Sequence, residues 1–205
     1  MVEKLHGSEA VSPWVARWAH LVPAVPTPGT VLDVACGLGR HTHYFLLHKN
    51  PVTAVDIAQA ATENIANSLP ADLQPYAQLV VADIENGPWP FAGRQFAGVV
   101  VTNYLWRALL PNIVQSVAPG GVLIYETFAV GNETVGKPSR PDFLLQPGEL
   151  LRVCAGLRVV AYEDGFMANP ERFVQRIVAV NDAQASVNHQ KTAHSASISP
   201  ARYVL

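Results

Sequence analysis

Apolar residues in this chain fall into two alternating patterns: short continuous runs, and single positions recurring every three or four residues. Continuous runs mark strands covered on both faces, as in a parallel sheet, and the spaced recurrences mark helices with one buried stripe. The spacing predicts an opening helix over 12–22, with Ser12 as N-cap, Pro13 at the first helical position and Trp14, Val15, Trp18, Leu21 and Val22 as its apolar set. A proline-rich connector, PAVPTPG at 23–29, leads to a strand at 30–35 and a helix from about 40 to 48. Residues 52–56 form a second strand, after which Ile57, Ala61, Ile65 and Leu69 place one stripe on a helix closed by Pro70. Runs at 77–82 and 96–102 predict two further buried strands, separated by the loop ENGPWPFAGRQ.

A helix marked by Leu109, Leu110, Ile113, Val114 and Val117 ends at the PGG turn, 119–121, and a fifth strand follows at 122–127. Beyond a long loop, 147–154 predicts a helix with Gly156 as its left-handed cap. Strands at 157–162 and 173–180 are joined closely enough to pair as an antiparallel hairpin. The expected fold is therefore α/β: a Rossmann-like, doubly wound sheet of seven strands, mostly parallel, with a C-terminal antiparallel hairpin. One domain is expected over 1–180, and the polar, aperiodic stretch 181–205 reads as a mobile tail.

Composition narrows the function classes. The chain has 205 residues, 49% hydrophobic and 15% charged, enough apolar material for one sizeable core. A net charge of −2 offers no general attraction for nucleic acid or an anionic membrane, so a small-molecule substrate is the expected partner. Two cysteines, Cys36 and Cys154, make neither a disulfide framework nor a four-ligand zinc site, and no metal is expected. With no signal-peptide pattern and no run of about 18 apolar residues, a cytoplasmic location is expected. The pattern says nothing about oligomeric state.

The chemistry concentrates in VLDVACGLGRHTHYFL, residues 31–46, where a strand meets a glycine turn and then a helix. Gly37 and Gly39 let a ligand lie against the backbone at the helix start. Asp33, inside the strand, would repel a phosphate but attract an ammonium or sulfonium group, which points to S-adenosylmethionine. Asp56, 19 residues after Gly37 at a strand end, offers two acceptor oxygens to the hydroxyls of a ribose. A nicotinamide-dependent oxidoreductase shares these features, but its G-x-G-x-x-G fingerprint would need glycine where Thr42 stands.

DVACGLG after the first strand, Asp56 after the second, Ala82-Asp83-Ile84 after the third, Asn103 after the fourth and PGG before the fifth together resemble a class I S-adenosylmethionine-dependent methyltransferase. The resemblance covers roughly 12–180. Within that group, GLGRHTHYFL and DFLLQPGELLRVCAGLRVVAYEDG are similar to the tellurite-resistance type. It implies a cofactor site made of Asp33, Ala35, Gly37, Gly39, Arg40, Asp56, Ile57, Asp83, Ile84 and Asn103. Ala35 stands at the first glycine of the group's GxGxG, Asp83 would receive the adenine amino group, and the Ile84 backbone would meet the ring edge. Arg40 would pair with the cofactor carboxylate or with an anionic substrate.

The resemblance also implies methyl transfer to a small acceptor, anionic or chalcogen-containing, for which no general base is required. An oxygen or carbon acceptor would need one, and Tyr104, Glu126 and His41 are the candidates. His41 and His43, two apart on a helix, cannot converge on a metal. Trp14 and Trp18 share a face of the opening helix, and in this group that helix often closes over the cofactor. Loop 128–145, with Lys137 and Arg140, is long enough to be a substrate lid. A catalytically silent S-adenosylmethionine-binding protein would present the same cofactor positions.

Overall fold

The computed structural model describes residues 10–23 and 30–182. Most of the predicted connector and nearly all of the predicted tail lie outside the described residues. Seven strands form one sheet, in chain order β1 (Val31–Val34), β2 (Val52–Asp56), β3 (Ala77–Val81), β4 (Phe96–Thr102), β5 (Val117–Phe128), β6 (Arg158–Ala168) and β7 (Glu171–Val180). Their spatial order is β3-β2-β1-β4-β5-β7-β6. The first five run parallel; β7 pairs antiparallel with both β5 and β6. The expected α/β sheet with its terminal hairpin is thus observed. Because the order reverses between β1 and β4, their carboxyl ends open a crevice, the place where such sheets bind ligands.

Helices α1 (Pro13–Trp18), α2 (Arg40–Leu47) and α3 (Gln59–Ser68) bury Trp18, Phe45 and Ile65 on one face of the sheet. The other face carries α4 (Leu110–Gln115) and α5 (Glu149–Val153), with Ile113 and Leu150 in its core. Ser12 caps α1 as its sequence suggests: its hydroxyl accepts the Trp14 N–H at 3.1 Å.

Four details depart from the sequence pattern. Ile57 lies before α3, not on its buried stripe, and its side chain is 64% exposed. Strand β3 is not covered on both faces: it is an edge strand, and 82–95 returns to β4 without a helix. The PGG turn is absorbed into β5, where Gly120 N–H and Gly121 O bond Asn181 and continue the ladder. Gly156 is not left-handed; that conformation falls at Gly148 (φ 66°), the residue that opens α5.

Candidate functional site

The turn after β1 is shaped by three left-handed residues, Ala35 (φ 53°), Gly37 (φ 54°) and Gly39 (φ 78°). Gly39 has a steric reason beyond its backbone angle, since a Cβ there would sit 2.6 Å from Ile65 Cγ1. Ala35 holds the same handedness with a methyl group and carries the strain of it, about 1 kcal/mol or slightly more. The turn is tied to the end of β2: Gly37 N–H donates to Asp56 Oδ2 at 2.8 Å and Cys36 N–H to Val55 O at 3.0 Å. Ala58 N–H donates to Asp56 Oδ1 at 2.9 Å. Each carboxylate oxygen therefore takes one main-chain donor and keeps capacity for another.

Asp33 lies beneath this turn, 2% exposed, where it accepts the Thr42 hydroxyl at 2.7 Å. Burial pushes its carboxyl up to about 6, against the Thr42 hydrogen bonds and the Arg40 charge that pull it down. Thr42, where a dinucleotide fingerprint would need glycine, thus joins the first turn of α2 to β1. Asp83 caps its own turn, accepting the N–H groups of Glu85 and Asn86 at 3.0 and 2.9 Å and the Asn86 amide at 3.0 Å. Those bonds, led by Asn86, hold its carboxyl below the usual range. Ile84 is buried in the core below, while Ile57 and Val81 present exposed apolar side chains at the ends of β2 and β3. Asn103 is exposed and left-handed (φ 54°), with its N–H on Glu126 O at 2.9 Å.

Beyond β4 the edge is built from side chains. Glu126, 1% exposed near the end of β5, accepts the Ser12 hydroxyl at 2.9 Å and pairs with Arg176 at 3.0 Å. Arg172 approaches the same carboxylate at 3.9 Å, and Arg176 also pairs with Glu163 at 2.8 Å while lying 5.0 Å over the Trp14 ring. His41 is 2% exposed; its Nε2 accepts the Ser12 N–H at 3.3 Å, so Nδ1 carries the proton, 3.4 Å from Thr102 Oγ1. Burial, helped by the Arg40 charge, lowers it to about 3, so the ring is neutral. Arg40 reaches Thr102 Oγ1 and Ala10 O, both at 3.4 Å. Two buried donors here, Arg172 Nε and Trp14 Nε1, have no hydrogen-bond partner among the described residues.

The sequence-predicted residues thus separate into a group around the glycine turn and a group under α1. Ser12 as more than a cap, Arg172 and Arg176 were missed. Their signal is visible afterwards: β7 reads ERFVQRIVAV, and 172 and 176 project to one face, whose other residues are Val174, Val178 and Val180. Loop 128–145 is anchored at its ends. Arg107 donates to the carbonyls of Asp142 and Leu144, each at 2.8 Å, and pairs with Glu149, while Asn132 bonds Pro138 O and the Phe173 N–H. Arg140 pairs with Asp142 at 2.9 Å. Among the described residues no group of three or more His, Cys, Asp or Glu is placed to hold a metal, and no helix is long and apolar enough to cross a membrane.

A family model described as a methyltransferase domain matches residues 31–121. No curated protein matches the chain. Among solved structures, TehB from Haemophilus influenzae is similar with a TM-score of 0.66 and 18% identity over 86% of this chain, which spans only 64% of that protein's length. The glycopeptide N-methyltransferase MtfA, solved with S-adenosylhomocysteine, is similar with a TM-score of 0.59 and 20% identity over 85% of this chain and 91% of that one. A TehB-like S-adenosylmethionine-dependent methyltransferase from Corynebacterium glutamicum gives 0.55 and 19%, over 80% and 86% of the two chains. These likenesses give the fold and the matched model gives the domain. Residues 31–121 thus match a methyltransferase domain, and the α/β sheet around them is the fold of these similar structures.

Proposed function

We propose that the protein transfers the methyl group of S-adenosylmethionine to a small anionic acceptor, such as a thiolate or a selenium or tellurium oxyanion. The residues of the first group suit the cofactor: Asp56 has free lone pairs for two ribose hydroxyls, Ile57 and Val81 offer apolar surface for a purine, and the glycine turn leaves room for the methionine end. Asp33 acts through the turn that it braces. When bound, the cofactor supplies a sulfonium methyl open to in-line attack, and holding an acceptor in line with it supplies several kcal/mol of the barrier, about 7 to 11 in the best cases.

The observation that carries the acceptor class is that two of the three candidate bases are bonded to neighbours and the third is held protonated. His41 uses both ring nitrogens, and Glu126 is bonded by Ser12 and Arg176. Tyr104 is held protonated, its phenol pushed up by burial and by neighbouring carboxylates. An acceptor that must lose a proton finds no base, whereas one already nucleophilic needs only to be held, and the unpartnered Arg172 Nε and Trp14 Nε1 are donors for an anion. A cytoplasmic, reducing setting belongs to this reading, since Cys36 and Cys154 are buried and unpaired.

Methyl transfer from labelled S-adenosylmethionine to selenite, tellurite, simple thiols, nucleic acid and protein tests it. Transfer to one of the small anions is expected, with a pH profile that follows the ionisation of the acceptor. Transfer to a macromolecule alone contradicts the acceptor class.

A further inference from the structure

The loop leaving β4 carries a polar atom with no role in the scheme above. Tyr104 packs half-buried against the face that holds Ile84, Leu105 and Tyr125. Its main chain is fixed from below, because Tyr125 Oη donates to the Tyr104 carbonyl at 2.9 Å. Yet the Tyr104 hydroxyl is itself shielded from solvent and has no partner in full hydrogen-bond geometry among the described residues. The buried indoles of Trp14, Trp18 and Trp89 share that condition, but each wants only one acceptor, whereas a phenol both donates and accepts. A buried hydroxyl left unpaired is costly enough to call for an explanation, and a missing ligand is one.

The surroundings of this hydroxyl say which ligand. Besides burial, Glu85 pushes the phenol's pKa up by its charge and as a nearby acceptor, followed by the charges of Asp83 and Asp56, yet none of these carboxylates meets the hydroxyl in full hydrogen-bond geometry. Tyr104 therefore faces the ends of β2 and β3, where the cofactor's nucleoside is expected, and not the arginines of β7. With its proton retained, it is a neutral donor beside groups that can only accept.

We propose that Tyr104 is a cofactor-recognition residue whose hydroxyl donates to a ring nitrogen of the adenine. The assignment rests on S-adenosylmethionine being the methyl donor. Adenine has complementary edges: its ring nitrogens accept, while its amino group donates and is left for Asp83. Tyr104 and Asp83 together then read a purine as a donor and an acceptor. This removes Tyr104 from the list of catalytic bases.

Calorimetric titration of S-adenosylhomocysteine into the wild type, Tyr104→Phe and Asp56→Ala tests the proposal without any turnover. Tyr104→Phe keeps the ring and its packing, and it should bind about tenfold more weakly, the scale of one hydrogen bond. One of the 1-, 3- and 7-deaza analogues should lose about as much with the wild type and lose nothing further with Tyr104→Phe. Equal affinity of Tyr104→Phe and wild type, or losses that simply add, overturns the role of Tyr104. If Asp56→Ala also binds like the wild type, the cofactor site itself is misplaced; if it binds weakly while Tyr104→Phe does not, only the Tyr104 assignment falls.

Discussion

On the β1–β2 side of the crevice the turn is fixed mainly by main-chain groups. Gly37 N–H meets Asp56, Cys36 N–H meets Val55 O, and left-handed residues at 35, 37 and 39 set the path. On the β5–β7 side the fixing is done by side chains drawn from far along the sequence: Ser12 lies 114 positions from Glu126, and Arg176 lies 50. The first side presents one carboxylate and a bare backbone, and the second presents charged groups balanced against one another. Under the proposed function, the unvarying cofactor would meet the first side and the acceptor the second.

The division can be broken by substitution, beginning with the largest effect. Arg176→Ala leaves Glu126 buried with the Ser12 hydroxyl and the more distant Arg172 at 3.9 Å, and should cost roughly 3 kcal/mol in chemical unfolding, with part recovered by adding Glu126→Gln. A cost below about 1 kcal/mol would mean that the β5–β7 side is not held by its ion pairs. Asp33 gives a pH test of the other side. Its folded pKa of about 6 lies above the ordinary 3.8, so between those values the native state binds more protons than the unfolded one. Stability from this group is therefore full below about pH 4 and falls by roughly 3 kcal/mol as pH rises to about 6. His41, lowered to about 3, acts in the opposite sense, losing stability as pH falls below its ordinary 6.5. Asp33→Asn keeps an acceptor for Thr42 and should lack only the Asp33 titration, so wild type and variant must diverge between pH 4 and 6 in unfolding titrations. The smallest effect is at Ala35: glycine there relieves the left-handed strain and should raise the melting temperature slightly, a gain of up to about 1 kcal/mol.

The same contrast explains what could be read from the chain itself. The β1 turn was legible because its determinants lie within a few residues of one another, and the spacing from Gly37 to Asp56 follows from one β-α-β unit. The seven strands were legible because apolar runs such as 96–102 are long. Ile57 misled because its four-residue spacing from Ala61 matched a stripe, although the helix begins only at Gln59. Strand β3 misled because an edge strand can be as apolar as a central one. The clasp of Ser12, Glu126 and Arg176 was not legible, since no local pattern links the opening helix to β5 and β7. His41 and Glu126 therefore passed for free bases until the fold showed what each is bonded to.

The binding isotherms of S-adenosylhomocysteine with Asp56→Ala and Arg172→Gln compare the two sides most directly. Asp56→Ala should weaken binding at least tenfold, as loss of a charge-assisted hydrogen bond does, while Arg172→Gln should stay within about twofold of the wild type. The reverse result, with Arg172 governing S-adenosylhomocysteine affinity and Asp56 indifferent to it, would contradict the account.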